Sequence, residues 1–337
     1  MAAPTGQGTL GHLGSLTTMR LKHGSYSLAG SGSGSSASLG VAGYFAGGQS
    51  SVNYMSGIDK ITFPADTKTT LSVTLTTARQ GCGGMANSGV AGYACAGYDS
   101  GPLAAIDKIT FPADTKTTLS ATLTNASSLI GSMANSSVAG YILGGNPSAF
   151  SNIDKITFPA DTKTTLSATL TQGTVGPAGF ANSGVAGYNA GGSNSVGAKL
   201  TVIDKITFPA DTKTTLSAVL SAGRNCVAGF ANSGVAGYAA GGGTASDNSN
   251  VIDKITFPAD TLTTLSAVLT TQRRNASGMA NSGVAGYVGG GYDVTSLLVG
   301  IDKITFPADT KTTLSVTLST SGVGRQDTAA FADNGSL

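Results

Sequence analysis

The block Ile-Asp-Lys-Ile-Thr-Phe-Pro-Ala-Asp-Thr occurs six times, beginning at Ile58, Ile106, Ile153, Ile203, Ile252 and Ile301. Successive starts lie 48, 47, 50, 49 and 49 residues apart. A period of this size means supersecondary units that are stacked or arranged radially, because no single unit can bury both of its faces. Whatever differs between copies is not needed to build the unit, so function is sought in the differences.

The fifth copy shows the unit most clearly. Apolar and β-branched residues at alternating positions predict four short strands: a ending near 230–232, b over 235–240, c over 252–257 and d over about 263–269. Asn-Ser-Gly joins a to b as a short hairpin connection in which Gly supplies positive φ. Pro-Ala-Asp-Thr joins c to d as a type I turn candidate, and its Pro stops strand c. Four antiparallel strands in about 49 residues make the blade of a β-propeller. A β-solenoid with open or capped ends is the rival arrangement.

Composition agrees with an all-β chain. Of 337 residues 49 are Gly, 11 % are charged, every acid is Asp and the net charge is +2. So neutral a surface argues against nucleic acid or an anionic membrane as the main partner. The three cysteines, Cys82, Cys95 and Cys226, have neither disulfide nor zinc spacing and are expected to be small buried thiols. No basic stretch followed by an apolar one opens the chain, so no Sec-type leader is expected, and the sequons at Asn125, Asn135 and Asn275 carry no weight.

An apolar strand b closes on Gly47-Gly48, Gly144-Gly145, Gly191-Gly192, Gly241-Gly242 and Gly290-Gly291, with Ala96-Gly97 in the second copy. Arg79, Arg224 and Arg273 precede strand a in register, where the other copies place Ser127, Thr174 and Gly322. On these features residues 41–337 resemble kelch-type repeats. The resemblance implies a propeller and says little about activity. Kelch repeats carry a Trp on the last strand and this chain has none, so Leu71 and Phe63, with their copies, are expected to fill that space.

The ends of the repeat predict how the ring closes. From the Ile of strand c to the Val opening the next strand b there are 32 positions in all five internal intervals. After the sixth block stands Phe331-Ala332-Asp333-Asn334-Gly335, an echo of Phe-Ala-Asn-Ser-Gly, while the strand at Val41 lacks its own preceding strand a. The expected fold is therefore an all-β, six-bladed β-propeller of four-stranded antiparallel blades, closed by the C-terminal strand joining the first blade. Closure removes the open sheet edges that would template aggregation.

Length varies only between the glycine pair and the Ile-Asp-Lys block. The inserts span 49–57, 98–105, 146–152, 193–202, 243–251 and 292–300. Residue type varies at fixed length in the d–a connections 77–84, 125–132, 172–179, 222–229 and 271–278. Antiparallel order puts both variable regions on one face and both constant turns on the other. Candidate ligand-binding residues on the variable face are Tyr54, Tyr98, Asp99, Phe150, Lys199, Asp247, Tyr292 and Asp293, aromatics and charges on a bland rim. Divergence of untethered loops after duplication is the alternative explanation of the variation.

Catalytic sets are missing from the blades. Both histidines, His12 and His23, precede the repeats, so no Ser-His-Asp or Cys-His constellation can form within them. Asp66 and its copies read as turn residues and not metal ligands. Asp59-Lys60 and its copies either pair between blades or are solvated. Tyr44 and its copies read as core and not as a sugar platform. No cofactor, metal or enzymatic activity is expected.

Residues 1–40 lack the unit and read as an attachment or assembly segment, with 30–36 as a flexible linker. Their start is loosely similar to leaders of phage virion proteins. The expected function is a non-enzymatic structural or adhesive virion component, such as a phage tail fibre, that shows its variable face to a host glycan or protein. Residues 1–40 would contact other tail proteins in a homo-oligomeric assembly. The alternative is a bacterial carbohydrate- or protein-binding propeller, extracellular or at the cell surface.

Overall fold

The computed structural model describes residues 41–318 and 323–334. The expectations for residues 1–40 lie outside the described residues. In the first blade are β1 (Ala42–Ala46), β2 (Ile58–Thr62) and β3 (Thr67–Thr70). The second has β4 (Gly83–Asn87), β5 (Ala91–Cys95), β6 (Ile106–Thr110) and β7 (Lys116–Thr118). The third has β8 (Gly131–Asn135), β9 (Ala139–Leu143), β10 (Ile153–Thr157) and β11 (Thr162–Thr165). In the fourth are β12 (Ala178–Asn182), β13 (Ala186–Ala190), β14 (Ile203–Thr207) and β15 (Thr212–Thr215). The fifth has β16 (Ala228–Asn232), β17 (Ala236–Ala240), β18 (Ile252–Thr256) and β19 (Thr261–Thr264). The sixth has β20 (Ser277–Asn281), β21 (Ala285–Gly289), β22 (Ile301–Thr305) and β23 (Thr310–Thr313), and the chain closes with β24 (Ala329–Ala332).

Each blade is a four-stranded antiparallel sheet, and the first has the order β24-β1-β2-β3. Tyr44 stands opposite Phe331 across the closing pair. The molecule is a closed six-bladed propeller, which rules out the solenoid. Strand d starts and ends earlier than the sequence pattern suggests. In the fifth blade it is Thr261–Thr264, and Leu265 and Leu269 lie beyond it, packed against the blade core. The Leu alternation that pointed to a longer strand marks anchor points of the chain returning across the blade.

The six innermost strands approach one another at small residues. A Cβ on Gly84 would lie 2.1 Å from the Ala330 carbonyl oxygen, and one on Gly179 would lie 2.1 Å from that of Ser132. Glycine is required here because the obstacle is backbone, which cannot give way. One position further out on the tyrosine strand, a Cβ on Gly92 would fall 2.0 Å from the Phe331 ring. Each glycine there is the socket for a Met or Phe of the neighbouring blade.

Three repeated side-chain devices join each blade to the next. First, Tyr44, Tyr93, Tyr141, Tyr188, Tyr238 and Tyr287 stack on Phe111, Phe158, Phe208, Phe257, Phe306 and Phe63, with centroids 4.8–5.3 Å apart. Such a pair contributes about 0.5–1.5 kcal/mol beyond area burial. These tyrosines are core, as the sequence suggested.

Second, each Tyr hydroxyl donates to the turn Asp of the following blade, for example Tyr44 to Asp114 Oδ1 at 2.8 Å, and Tyr287 closes the ring on Asp66 at 2.9 Å. The same carboxylates receive lysine: Lys60 Nζ is 2.6 Å from Asp114 Oδ2 and Lys303 Nζ 2.5 Å from Asp66 Oδ2. Burial, then the bond to the carboxylate, hold the Tyr44 hydroxyl far above its ordinary pKa, so it acts only as a donor. Asp66 is a turn residue, with φ 54°, and also half of a blade-to-blade clamp.

Third, buried arginines precede the inner strands. Arg79, Arg224, Arg273 and Arg325 pair with Asp107, Asp253, Asp302 and Asp59 of the following blade at 3.2, 2.5, 3.0 and 3.0 Å. The register read from the sequence placed Gly322 at the last of these positions, and the structure corrects it to Arg325. Three extra residues before Arg325 displace the count when it starts from Ile301. Counted back from the inner-strand aromatic, Arg325 stands as far from Phe331 as Arg224 does from Phe230. Asp59 and Lys60 both act between blades, but with different partners. Where Ser127 and Thr174 replace Arg, Asp154 and Asp204 are held by threonines such as Thr124 and Thr171. The Thr174 hydroxyl and the side-chain amide of Asn189 are buried without partners.

Candidate binding face

The constant turns share one face. There the amide of Ser88 donates to Ser136 Oγ, Ser136 to Ser183, Ser183 to Ser233 and Ser233 to Ser282, at 2.9–3.1 Å. Ser282 N–H completes the series on the Asn334 carbonyl at 3.0 Å. The short Asn-Ser-Gly or Asn-Ser-Ser hairpin dictates this repetition, since each hydroxyl caps the preceding turn.

Both variable regions lie on the opposite face, and two concentric rings tie them down. In the outer ring each insert pairs with the d–a connection entering its own blade. Gln49 pairs with Gln326, Tyr98 with Gln80, Asn146 with Ser128, Ser193 with Val175, Gly243 with Asn225 and Tyr292 with Arg274. The inner ring passes through Gly81, Leu129, Gly176, Cys226, Asn275 and Asp327, all with φ between 52° and 67°. Backbone bonds such as Leu129 N–H to Gly81 O at 2.8 Å and Gly81 N–H to Asp327 O at 2.9 Å link its members. Backbone alone makes these rings, so side chains at both levels are free to differ.

Inside the inner ring an axial cavity of about 90 Å³ runs between the inner strands. A larger depression of about 660 Å³ opens on the variable face, lined by the inner-ring residues Leu129, Cys226 and Asn275 and by loops of blades four to six and blade one. Lys199 and Tyr292 line it together, with Arg274 and the amides of Gln49, Asn225 and Gln326. The Arg274 guanidinium lies 5.5 Å from the Tyr292 ring centroid, a cation–π arrangement.

The other candidates stand elsewhere on this face. Tyr54 and Tyr98, from adjacent inserts, meet edge to face at 6.2 Å. Asp99 and Asp293 cap their own loops, Asp99 accepting from Ser100 N–H and Asp293 from Thr295 and Ser296 N–H. Both carboxyls lie below their ordinary pKa, Asp99 chiefly through the Ser100 N–H and Asp293 through the Thr295 hydroxyl first and then these N–H groups. Asp247 is exposed and accepts from Asn248 N–H at 2.7 Å. Phe150 is half-buried, and its carbonyl accepts the Thr174 N–H at 3.2 Å. Thus the structure brings Lys199 and Tyr292 into one depression and Tyr54 against Tyr98. Asp99, Phe150, Asp247 and Asp293 are distributed singly.

Sequence reasoning missed Arg274, Gln49, Asn225 and Gln326. The signal for Arg274 was the Arg273-Arg274 doublet: the first arginine recurs in register and is structural, whereas the second recurs nowhere. The thiols show no nucleophilic tuning. Burial pushes Cys82 up to about 11, and Cys95 and Cys226 up to about 12.

Asp327 is the one inner-ring carboxylate, 9 % exposed, and Asn275 Nδ2 donates to its Oδ1 at 2.6 Å. Burial raises its pKa to about 7, against the lowering influence of Asn275 and Arg274. The folded state therefore holds a proton that the unfolded chain releases near pH 4. The group's contribution to stability falls as pH rises through that window and stays lost above about 7. Asp327→Asn is expected to stabilise the protein at pH 8 by at most about 4 kcal/mol and to change nothing at pH 3.5. Paired denaturant titrations at the two pH values measure it.

No protein-family model matches the chain, and no curated protein matches it.

Proposed function

We propose that the chain is a non-enzymatic, kelch-like propeller that serves as a structural and adhesive component of a virus particle, such as a phage tail fibre. It recognises a host glycan or protein through the variable face. The observation that carries this reading is the contrast between faces: serine-capped turns repeat on one side, while backbone rings on the other hold individual inserts in place. Loops diverging without use need no such tethering. Residues 1–40 attach the propeller, in several copies, to neighbouring tail proteins. The thiols held protonated and the absence of histidine from the blades support a binding role over a catalytic one.

The test replaces the inserts one at a time with Gly-Ser segments of equal length. Adsorption of the full chain to immobilised glycans and to bacterial envelopes is then measured. Replacing at least one insert is expected to lower adsorption about ten-fold while the melting temperature stays within a few degrees. Adsorption unchanged by all six replacements contradicts the reading. Detection of the chain in purified particles separates it from a bacterial propeller with no virion role.

A further inference from the structure

Charge among the described residues is almost entirely paired, between blades or within one. Among the described residues, every lysine and arginine except two has a carboxylate within ion-pair distance. The two exceptions, Lys199 and Arg274, come from different blades and line the same depression. No carboxylate lines it. The remaining walls are neutral and mix polar side chains with Leu129, Cys226 and Leu297. Gln326 Nε2 donates to Gln49 Oε1 at 3.1 Å, which leaves the other half of each amide without a partner. Ser50 and Ser296 also line it, their hydroxyls bonded to Asn53 and Asp293 of their own loops, and Tyr292 adds a ring held in place by Arg274 and by its hydroxyl's bond to the Val294 carbonyl at 2.7 Å.

We infer that this depression is a binding site for a carboxylate-bearing saccharide, a uronic-acid or sialic-acid type of sugar. The inference rests on the reading of the variable face as a recognition surface and names what it recognises. An unpaired guanidinium offers two parallel N–H donors that match a carboxylate, and a second cation across the depression attracts the same charge. The free halves of the Gln49 and Gln326 amides, one a donor and the other an acceptor, suit the hydroxyls of a sugar ring, which donate and accept at once. Two cations on a chain of net charge +2 are too few for a polyanion held by phosphates. The volume, about 660 Å³, lies within the range of small-ligand sites. Such a site occurs once in the ring, because neither cation recurs in the other blades: the residues aligned with Arg274 are Gln80, Ser128, Val175, Asn225 and Gln326.

The test titrates the full chain with 3′-sialyllactose, a glucuronate disaccharide, lactose and sodium sulfate, followed by calorimetry or ligand-observed NMR. At least one acidic sugar is expected to bind ten-fold or more tightly than lactose, with affinity that falls as salt is raised. Arg274→Ala is expected to weaken it by about ten-fold or more and Lys199→Ala by about three- to ten-fold. Both side chains stand at the surface of the depression, so melting temperatures unchanged by the substitutions show that the loss is in binding. Equal binding of lactose, binding indifferent to both substitutions, sulfate binding as tightly as the sugar, or no binding by either acidic sugar overturns the inference. Insert replacement separates this from failure of the broader reading: if it still abolishes adsorption, the face recognises something else and only the acidic-sugar assignment falls.

Discussion

Ending the chain at residue 322 is expected to abolish cooperative folding, and placing residues 323–335 directly before Val41, which rebuilds the three-residue connection of the other blades, is expected to restore it. The truncation removes β24, and with it the Phe331 ring that fills the Gly92 socket and stacks on Tyr44 at 5.4 Å. It also removes Arg325, which bonds Asp59 and the carbonyls of Phe45, Gly47 and Gly57. Loss of the Phe331 ring alone is worth about 3–5 kcal/mol as a Phe→Ala change. That is a large fraction of the 5–15 kcal/mol typical of a folded protein. The truncated ring also exposes the β1 edge and leaves the Asp59 carboxylate buried without its cation. The permuted chain keeps every one of these contacts and changes only which peptide bond is open. Thermal unfolding followed by circular dichroism reads the difference. A truncated chain that melts within a few degrees of the parent contradicts closure through β24.

The second large effect comes from five sites that differ in one respect. Asp107→Ala, Asp253→Ala or Asp302→Ala leaves a buried guanidinium unpaired and is expected to cost about 3–5 kcal/mol. Asp154→Ala and Asp204→Ala remove the same carboxylate where no arginine waits, and are expected to cost about 1–3 kcal/mol for lost hydrogen bonds. Denaturant titration of the five variants provides the comparison, and equal costs contradict the role given to the arginines. pH acts on the same sites. Burial pushes Asp107 up, but the bonds from Thr118 and Thr76 and the Arg79 charge outweigh it, so its pKa ends below the ordinary value. A folded pKa lowered in this way contributes stability above the unfolded value and loses it as pH falls through the folded one. The acid limb of the stability curve is therefore expected to be shallower in Asp107→Ala than in the parent.

The ring was legible in the sequence because each device that builds a blade is local: a period near 49 residues, a turn block and an aromatic echo at Phe331. Antiparallel order alone then sorted the loops into a constant and a variable face. The devices that join blades were harder to read. Tyr93 and Lys108 reach Asp161 across 68 and 53 residues, separations that show no pattern until neighbouring blades are placed side by side. Asp59 and Lys60, adjacent in sequence, point to different partners because strand neighbours face opposite sides of a sheet. Arg325 was hidden by three inserted residues, and Arg274 by standing beside a residue that does repeat. The depression drew on positions of the d–a connections as much as on the inserts. The inserts drew attention because their lengths vary, whereas the connections vary only in residue type.

Electron microscopy of the purified full chain tests the central claim most directly. Averages viewed along the axis are expected to show a disc of six wedges around a constricted centre, with the junction of the first and sixth wedges as continuous as the other five. A rod, or a ring with a gap at that junction, contradicts the account.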